Sequence, residues 1–405
     1  MESQYWNDEV QQSAWLLDYD RRCMLDCADT FQNLAAVMGE MNWELEQEKT
    51  PDDREELLRR RQAMESRKQY AAHMRQMAGM LQSVADTSVQ LIRLGGRQEK
   101  QIVRALAGEG IVVEDIYLLR GKEDRLQITI SVRLTKNKSM TVEEIAGYLS
   151  VLMDIRLVPQ KRNPYFVGEE SVSLYFEEEP IFSCLTAAAC ATEETESVSG
   201  DSYSFLETDD SVAMILSDGV GSGESAARDS GRIVDLTERI LDAGLGPDMA
   251  MLFLNGMAGA EGDENRMATL DLCRIDLYRG ECETVKAGGA SGFIKRSGRV
   301  EKIQSRQLPL GMSASEDISE KKWQLNSGDL VILVSDGVVQ NWPCGDGEYL
   351  LEQKIASLNV SSPVDLANLI LRYAIRQCGG KIRDDMTVLV TGIWKNEERE
   401  IEDIE

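Results

Sequence analysis

Histidine is nearly missing from this chain: 405 residues contain one, His73. Zinc sites built from paired histidines and cysteines are thereby excluded. His73 itself falls in a helical stretch, where a core or surface position explains it. Positive charge is also scarce. Against 70 Asp and Glu stand 44 Lys and Arg, for a formal net charge of −26. That balance disfavours a nucleic-acid partner, because phosphate backbones recruit basic surfaces. The acidity reads as solubility. No apolar run approaches the roughly 20 residues of a membrane helix, and there is no secretory signal. The eight cysteines (Cys23, Cys27, Cys184, Cys190, Cys273, Cys282, Cys344 and Cys378) are dispersed through a long chain. They read as cytosolic thiols rather than a disulfide framework, which gives a cytoplasmic expectation for this chain. The glycine-rich stretch Gly219-Val220-Gly221-Ser222-Gly223 lacks the lysine of a nucleotide loop and continues into Glu224. It reads as a loop shaped ahead of a helix.

What the sequence does hold is a set of four aspartates in separate segments: Ser199-Gly200-Asp201-Ser202, Ser217-Asp218-Gly219, Ser335-Asp336-Gly337 and Arg383-Asp384-Asp385-Met386-Thr387. Apolar runs lead into two of them, Val212–Leu216 before Asp218 and Leu330–Val334 before Asp336. A third run, Thr387–Val390, leaves the last. One Asp-Gly after a strand is ordinarily a turn. Several strand ends of this kind can place carboxylates together at the rim of a core. Converging carboxylates repel unless a cation lies between them, and hard divalent cations prefer oxygen ligands. The pattern predicts a carboxylate-bound metal site for hydrolysis.

The order and spacing of these segments resemble the PPM family, the metal-dependent type 2C protein phosphatases, and within it the sporulation phosphatases. The resemblance is tightest from Val198 to Ile393. It rests on Val198-Ser-Gly-Asp-Ser-Tyr203, Ile215-Leu-Ser-Asp-Gly-Val-Gly-Ser-Gly223, Ser291-Gly-Phe-Ile-Lys-Arg296, Leu308-Pro-Leu-Gly311 and Asp384-Asp-Met-Thr387. It implies an α+β fold, an αββα sandwich of two antiparallel sheets flanked by helices. It further implies two divalent cations, Mn²⁺ or Mg²⁺. Asp218 would bridge them, the Gly219 carbonyl would complete one shell, Asp336 and Asp384 would hold the first ion, and Asp201 would serve the second. Asp385 stands where the wider family commonly has asparagine, so the ligand role goes to Asp384. The arginine that holds phosphate in eukaryotic members has no evident counterpart, and Lys381 and Arg383 near Asp384 are read as balancing charge. The implied substrate is a phosphorylated anti-anti-sigma protein, whose dephosphorylation activates a sporulation sigma factor. Sporulation members usually carry a membrane region upstream and act at the division septum.

Four regions are expected along the chain. Residues 1–95 read as a helical regulatory or dimerisation region, with helices over 8–47 and 54–94 broken at Lys49-Thr50-Pro51-Asp52-Asp53. Tyr70, Met74, Met77, Leu81, Val84 and Leu91 form a heptad-like seam, read either as a hairpin packed on itself or as a two-fold dimer contact. The basic Arg59-Arg60-Arg61 stretch is a solvated face. Residues 96–180 read as a small α/β unit with no catalytic cluster. Residues 181–397 carry the phosphatase motifs, and 398–405 are an acidic tail. Helices are expected at 225–243, 247–257, 348–358 and 363–377. Two further readings stand beside the leading one: a stress-response phosphatase of a partner-switching pathway, and a catalytically silent binding scaffold.

Overall fold

The computed structural model describes residues 24–25, 27–33, 35–36, 71–72, 74–75, 77–82, 85, 90–92, 96–120, 125–136, 138–219, 221, 223–260, 268–304, 308–310, 321–340, 342 and 346–396. Contacts divide the chain into two compact units, one containing 77–179 and the other containing 180–396. No helix among the described residues is long and apolar enough to cross a membrane.

The first unit holds a five-stranded antiparallel sheet in the order β1-β2-β3-β7-β5. Its strands are β1 (Gln90–Ile92), β2 (Ile111–Arg120), β3 (Leu126–Leu134), β5 (Leu157–Pro159) and β7 (Val172–Glu178). Helices α1 (Gly96–Gly108) and α2 (Val142–Met153) cover it, burying Ile102, Leu106, Ile145 and Leu149 against Ile128, Ile130 and Phe176. A small ribbon, β4 (Met140–Thr141) with β6 (Phe166–Val167), leads into α2. The start of α2 is fixed by a capping box, in which the Thr141 hydroxyl accepts from Glu144 N–H and the Glu144 carboxylate accepts from Thr141 N–H.

One expectation fails here. The helix read as far as residue 94 has already ended, because Gln90–Ile92 pairs as an edge strand with Leu118–Arg120. The backbone pairing offered by β2 outweighs local helix propensity. Of the expected seam, Met74, Met77 and Leu81 have described side chains, and Met74 and Leu81 are half-buried. Met77 is 49% exposed, whereas Ala71, Ala78 and Ala85 are buried. Within the chain the buried stripe is therefore alanine at heptad spacing, and Met77 is left exposed. His73, Tyr70, Val84, the Leu91 side chain, the 49–53 connection and the 398–405 tail lie outside the described residues.

The second unit is a four-layer sandwich. One sheet runs β15-β12-β11-β10-β9 and the other β14-β13-β16-β17-β8, both antiparallel. The first comprises β9 (Asp201–Glu207), β10 (Ser211–Asp218), β11 (Leu270–Asp276), β12 (Glu281–Ala287) and β15 (Lys321–Gln324). The second comprises β8 (Phe182–Ala191), β13 (Gly292–Arg296), β14 (Arg299–Ile303), β16 (Leu330–Val334) and β17 (Met386–Lys395). Helices α3 (Gly223–Asp242) and α4 (Pro247–Ala260) cover the first sheet, and α5 (Gly347–Ser357) and α6 (Pro363–Gln377) cover the second.

The continuous apolar runs follow from this layering, since a central strand covered on both faces has no solvent side. On β10, Ala213 and Ile215 join the helix-side core, while Met214 and Leu216 join the core between the sheets. On β16, Leu330, Ile332 and Val334 face the helices, and Val331 and Leu333 face inward. Truncating one such residue, Ile332→Ala, would cost about 2–5 kcal/mol.

Candidate metal centre

Asp201 opens β9 and Asp218 closes β10, and the antiparallel register sets them directly opposite each other. Opposed residues share a face of the sheet. On β10 that face carries Met214 and Leu216, so both aspartates stand at the inner rim of the sandwich. From the other sheet, β16 runs through Ser335 into a 3₁₀ turn, Asp336–Val338. Asp384 lies just ahead of β17, the neighbour of β16. Ser335 ties these ends together: its N–H donates to the Thr387 carbonyl at 2.9 Å, and its hydroxyl accepts from Thr387 N–H at 2.9 Å.

The carboxylates share one electrostatic environment. Burial pushes Asp201 up to about 7, partly offset by the hydroxyls of Thr387 and Ser335 and reinforced by Asp385 and Asp336. Neither Asp201 oxygen has a hydrogen bond of good geometry. Asp218 is raised well above the ordinary carboxylate range, by burial first, then by the charges of Asp201 and Asp336, a hydrogen bond with Asp336, and Asp384. Asp384 is raised by burial and by Asp336. These are the shifts expected when like charges gather in a desolvated place.

Two glycines let the segments close up. A Cβ on Gly219 would collide with the Ala226 carbonyl of α3, and one on Gly337 would collide with the Asp385 carbonyl. The glycine after each Ser-Asp therefore permits a close backbone approach beyond its role in a turn.

Asp385 was read from sequence only as a neighbour of Asp384. It is 6% exposed. Its Oδ1 accepts from Glu193 N–H at 2.9 Å and its Oδ2 from Gly200 N–H at 2.6 Å. The Gly200 carbonyl in turn accepts from the Ser230 hydroxyl at 2.6 Å. The peptide leading into Asp201 is thus gripped from both sides. An asparagine has one acceptor oxygen where this clamp uses two, which gives a physical reason for aspartate. Nothing local in the sequence signals a partner 185 residues away. Lys381 and Arg383 are exposed.

The residues present fit hard divalent cations. Every donor is oxygen, both Asp201 carboxylate oxygens are buried without a hydrogen bond of good geometry, and burial with neighbouring charge raises the proton affinities of Asp201, Asp218 and Asp384. Among the described residues no three His, Cys, Asp or Glu side chains close into a ligand cage. The hydrogen bond between Asp218 and Asp336 relieves part of their repulsion instead. Beside Asp336 opens a cavity of about 450 Å³, lined by Gly289, Ala290, Gln340, Asp346 and Glu348 among others. Glu348 is held by Ser291 N–H at 2.9 Å, the Ser291 hydroxyl at 2.8 Å and Lys302 at 2.5 Å.

Residues 208–393 match the family model of Stage II sporulation protein E (SpoIIE). The chain is 30% identical over 328 residues to stage II sporulation protein E of Bacillus subtilis, covering 79% of this chain and 39% of that relative. It is 24% identical over 200 residues to phosphoserine phosphatase RsbU of the same organism, covering 48% of this chain and 59% of that one. A solved structure of the PP2C phosphatase domain and a fragment of the regulatory domain of B. subtilis SpoIIE matches with a TM-score of 0.58 at 28% identity. That alignment covers 84% of this chain and 99% of the solved one. The sandwich expected from the motifs is the fold of that phosphatase domain. Asp218, Asp336 and Asp384 lie inside the segment that matches the SpoIIE family model and Asp201 lies just ahead of it, so the chain is similar there to the SpoIIE family of PP2C-type phosphatases while spanning about two fifths of the length of the B. subtilis relative.

Proposed function

We propose that the chain is a metal-dependent protein phosphoserine phosphatase. The observation that carries this is the convergence of Asp201, Asp218, Asp336 and Asp384 at one rim, where the proton affinities of Asp201, Asp218 and Asp384 are raised. Asp218 would bridge two divalent cations, a reading supported by its place opposite Asp201 on its own sheet and by its nearness to Asp336 from the other. Asp336 and Asp384 would hold one ion, Asp201 would serve the other, and the Gly219 carbonyl would complete one of the two shells. Bound Mn²⁺ or Mg²⁺ would supply water activation and neutralise phosphoryl charge. The protein's share is to orient that chemistry. Asp385 fixes the peptide ahead of Asp201, and Ser335 with Thr387 fixes the ends that carry Asp336 and Asp384. The cavity beside Asp336 gives a phosphoserine segment room to approach.

The substrate in this reading is a phosphorylated anti-anti-sigma protein, in keeping with the sporulation and phosphoserine phosphatase relatives. Protein contacts away from the reacting centre would supply positioning energy. Self-association through the helical region, as a two-fold dimer, completes the proposal. The test is release of phosphate from a phosphorylated anti-anti-sigma protein with and without Mn²⁺. The reading expects turnover only with metal, and far greater efficiency than on unrelated short phosphopeptides. Full turnover in excess chelator contradicts it.

A further inference from the structure

A buried ion pair joins β11 and β12 beside this centre. Lys286 Nζ lies 2.5 Å from Asp271 Oδ2, with side chains 4% and 3% exposed. Among the described residues Lys286 is the only buried lysine or arginine. The register explains where the pair points. Asp271 on β11 lies opposite Leu216 on β10, and Lys286 on β12 lies opposite Asp271. Opposed residues share a face, so Asp271 stands on the inner face diagonal to Asp218, and Lys286 stands one strand further on. Along the inner rim the order is therefore Asp201, Asp218, Asp271, Lys286. Asp271 is close enough to Asp336 to feel its charge.

The same carboxylate approaches the cavity wall. A Cβ on Gly289 would come within 3.1 and 3.2 Å of the two Asp271 oxygens. Gly289 lines the cavity together with Asp336. Asp271 Oδ1 has no hydrogen bond of good geometry. The surrounding intersheet core is apolar, with Cys273, Ile275, Cys282 and Leu333. A buried ion pair in such a place is weak evidence for stability, because an apolar pair of similar volume commonly serves as well.

We propose that Lys286 and Asp271 form a positioning pair for the metal centre: Lys286 orients the Asp271 carboxylate toward the Asp218–Asp336 rim, and that fixed anion strengthens cation binding there. The inference rests on the phosphatase reading above. Like other outer partners of a metal site, the pair is expected to govern affinity by roughly tenfold or more.

The experiment is calorimetric Mn²⁺ titration of the full chain, with metal-free thermal unfolding run in parallel. The variants are Asp271→Asn, which keeps the side-chain shape, and the double exchange Asp271→Leu with Lys286→Met, which replaces the pair by apolar groups. The expected result is a double variant that unfolds near the wild-type temperature yet binds Mn²⁺ roughly tenfold more weakly. Asp271→Asn is expected to weaken binding as well. Wild-type Mn²⁺ affinity in folded variants overturns the proposal and leaves the pair as structure alone. If the double variant does not fold, Asp271→Asn decides. If the wild-type chain takes up no Mn²⁺, the phosphatase reading fails first and this inference fails with it.

Discussion

The two units differ in how fully they satisfy their buried polar groups. In the α/β unit the buried polar side chains are partnered: the Ser150 hydroxyl donates to the Ala146 carbonyl and accepts from Leu157 N–H, and Glu177 accepts from Gln160. In the sandwich, Asp201 keeps both oxygens and Asp271 keeps Oδ1 buried without a hydrogen bond of good geometry, and the only partner of the buried Lys286 ammonium among the described residues is the Asp271 carboxylate. Every such orphan among the described residues belongs to the sandwich. A unit that satisfies its buried polar groups is built for stability. One that leaves carboxylates desolvated and adjacent gives up stability for a site. The small unit spends its hydrogen bonds on caps and turns, and the sandwich holds charge ready for a ligand.

The sharpest way to break this contrast is to remove one carboxylate. Asp218→Asn and Asp384→Asn should lower turnover on the order of a hundredfold or more while leaving the fold intact, because each deletes ligand charge at a rim rather than core volume. Metal-titrated phosphate release with circular dichroism checks both halves.

Asp385→Asn comes next. It should cost about 1–3 kcal/mol in thermal stability, since one of two buried N–H donors loses its acceptor. It should also weaken Mn²⁺ binding by loosening the Asp201 peptide. Unchanged binding in a destabilised variant would reduce Asp385 to a structural clamp.

A third expectation concerns pH. Asp201 is raised to about 7, so between the ordinary carboxylate range and pH 7 the folded state binds more protons than the unfolded chain. Stability without metal should therefore fall as pH rises through that window, by on the order of 1–3 kcal/mol. Asp201→Asn should flatten the slope. Calorimetry at pH 5 and pH 8 in chelator reads it, and a rising stability would reverse the sign.

The smallest effect belongs to the other unit. Thr141→Ala removes the cap of α2 and should cost about 1 kcal/mol, with Mn²⁺ affinity untouched. A change in metal binding would show that the two kinds of burial are not separate.

Much of the sandwich was legible because its signals are local. The runs ending in Asp218 and Asp336 announce central strands. Helix α6 carries its own boundaries, with Ser362 as N-cap and Pro363 in the first turn. Other elements were not legible because their cause is distant. β8 is rich in alanine, a poor strand former, and is held by a ladder from residue 182 to 191 along β17. β1 reads as helix until β2 supplies an edge. At the centre, the two Ser-Asp-Gly strand ends and the Gly-Asp-Ser and Asp-Asp-Met-Thr segments are visible as short motifs in the sequence. The Asp385 clamp and the inward Lys286 are not, because each depends on a register that only tertiary pairing sets.

The central claim is that the rim carboxylates form a cation site. Its most direct measurement is thermal unfolding of the full chain with saturating Mn²⁺ and with chelator, for the wild type and for Asp218→Asn. At a hundredfold excess over the dissociation constant, binding should add about 2.7 kcal/mol to wild-type stability. The variant should gain little. Identical unfolding temperatures for the wild type with and without Mn²⁺ would contradict the account.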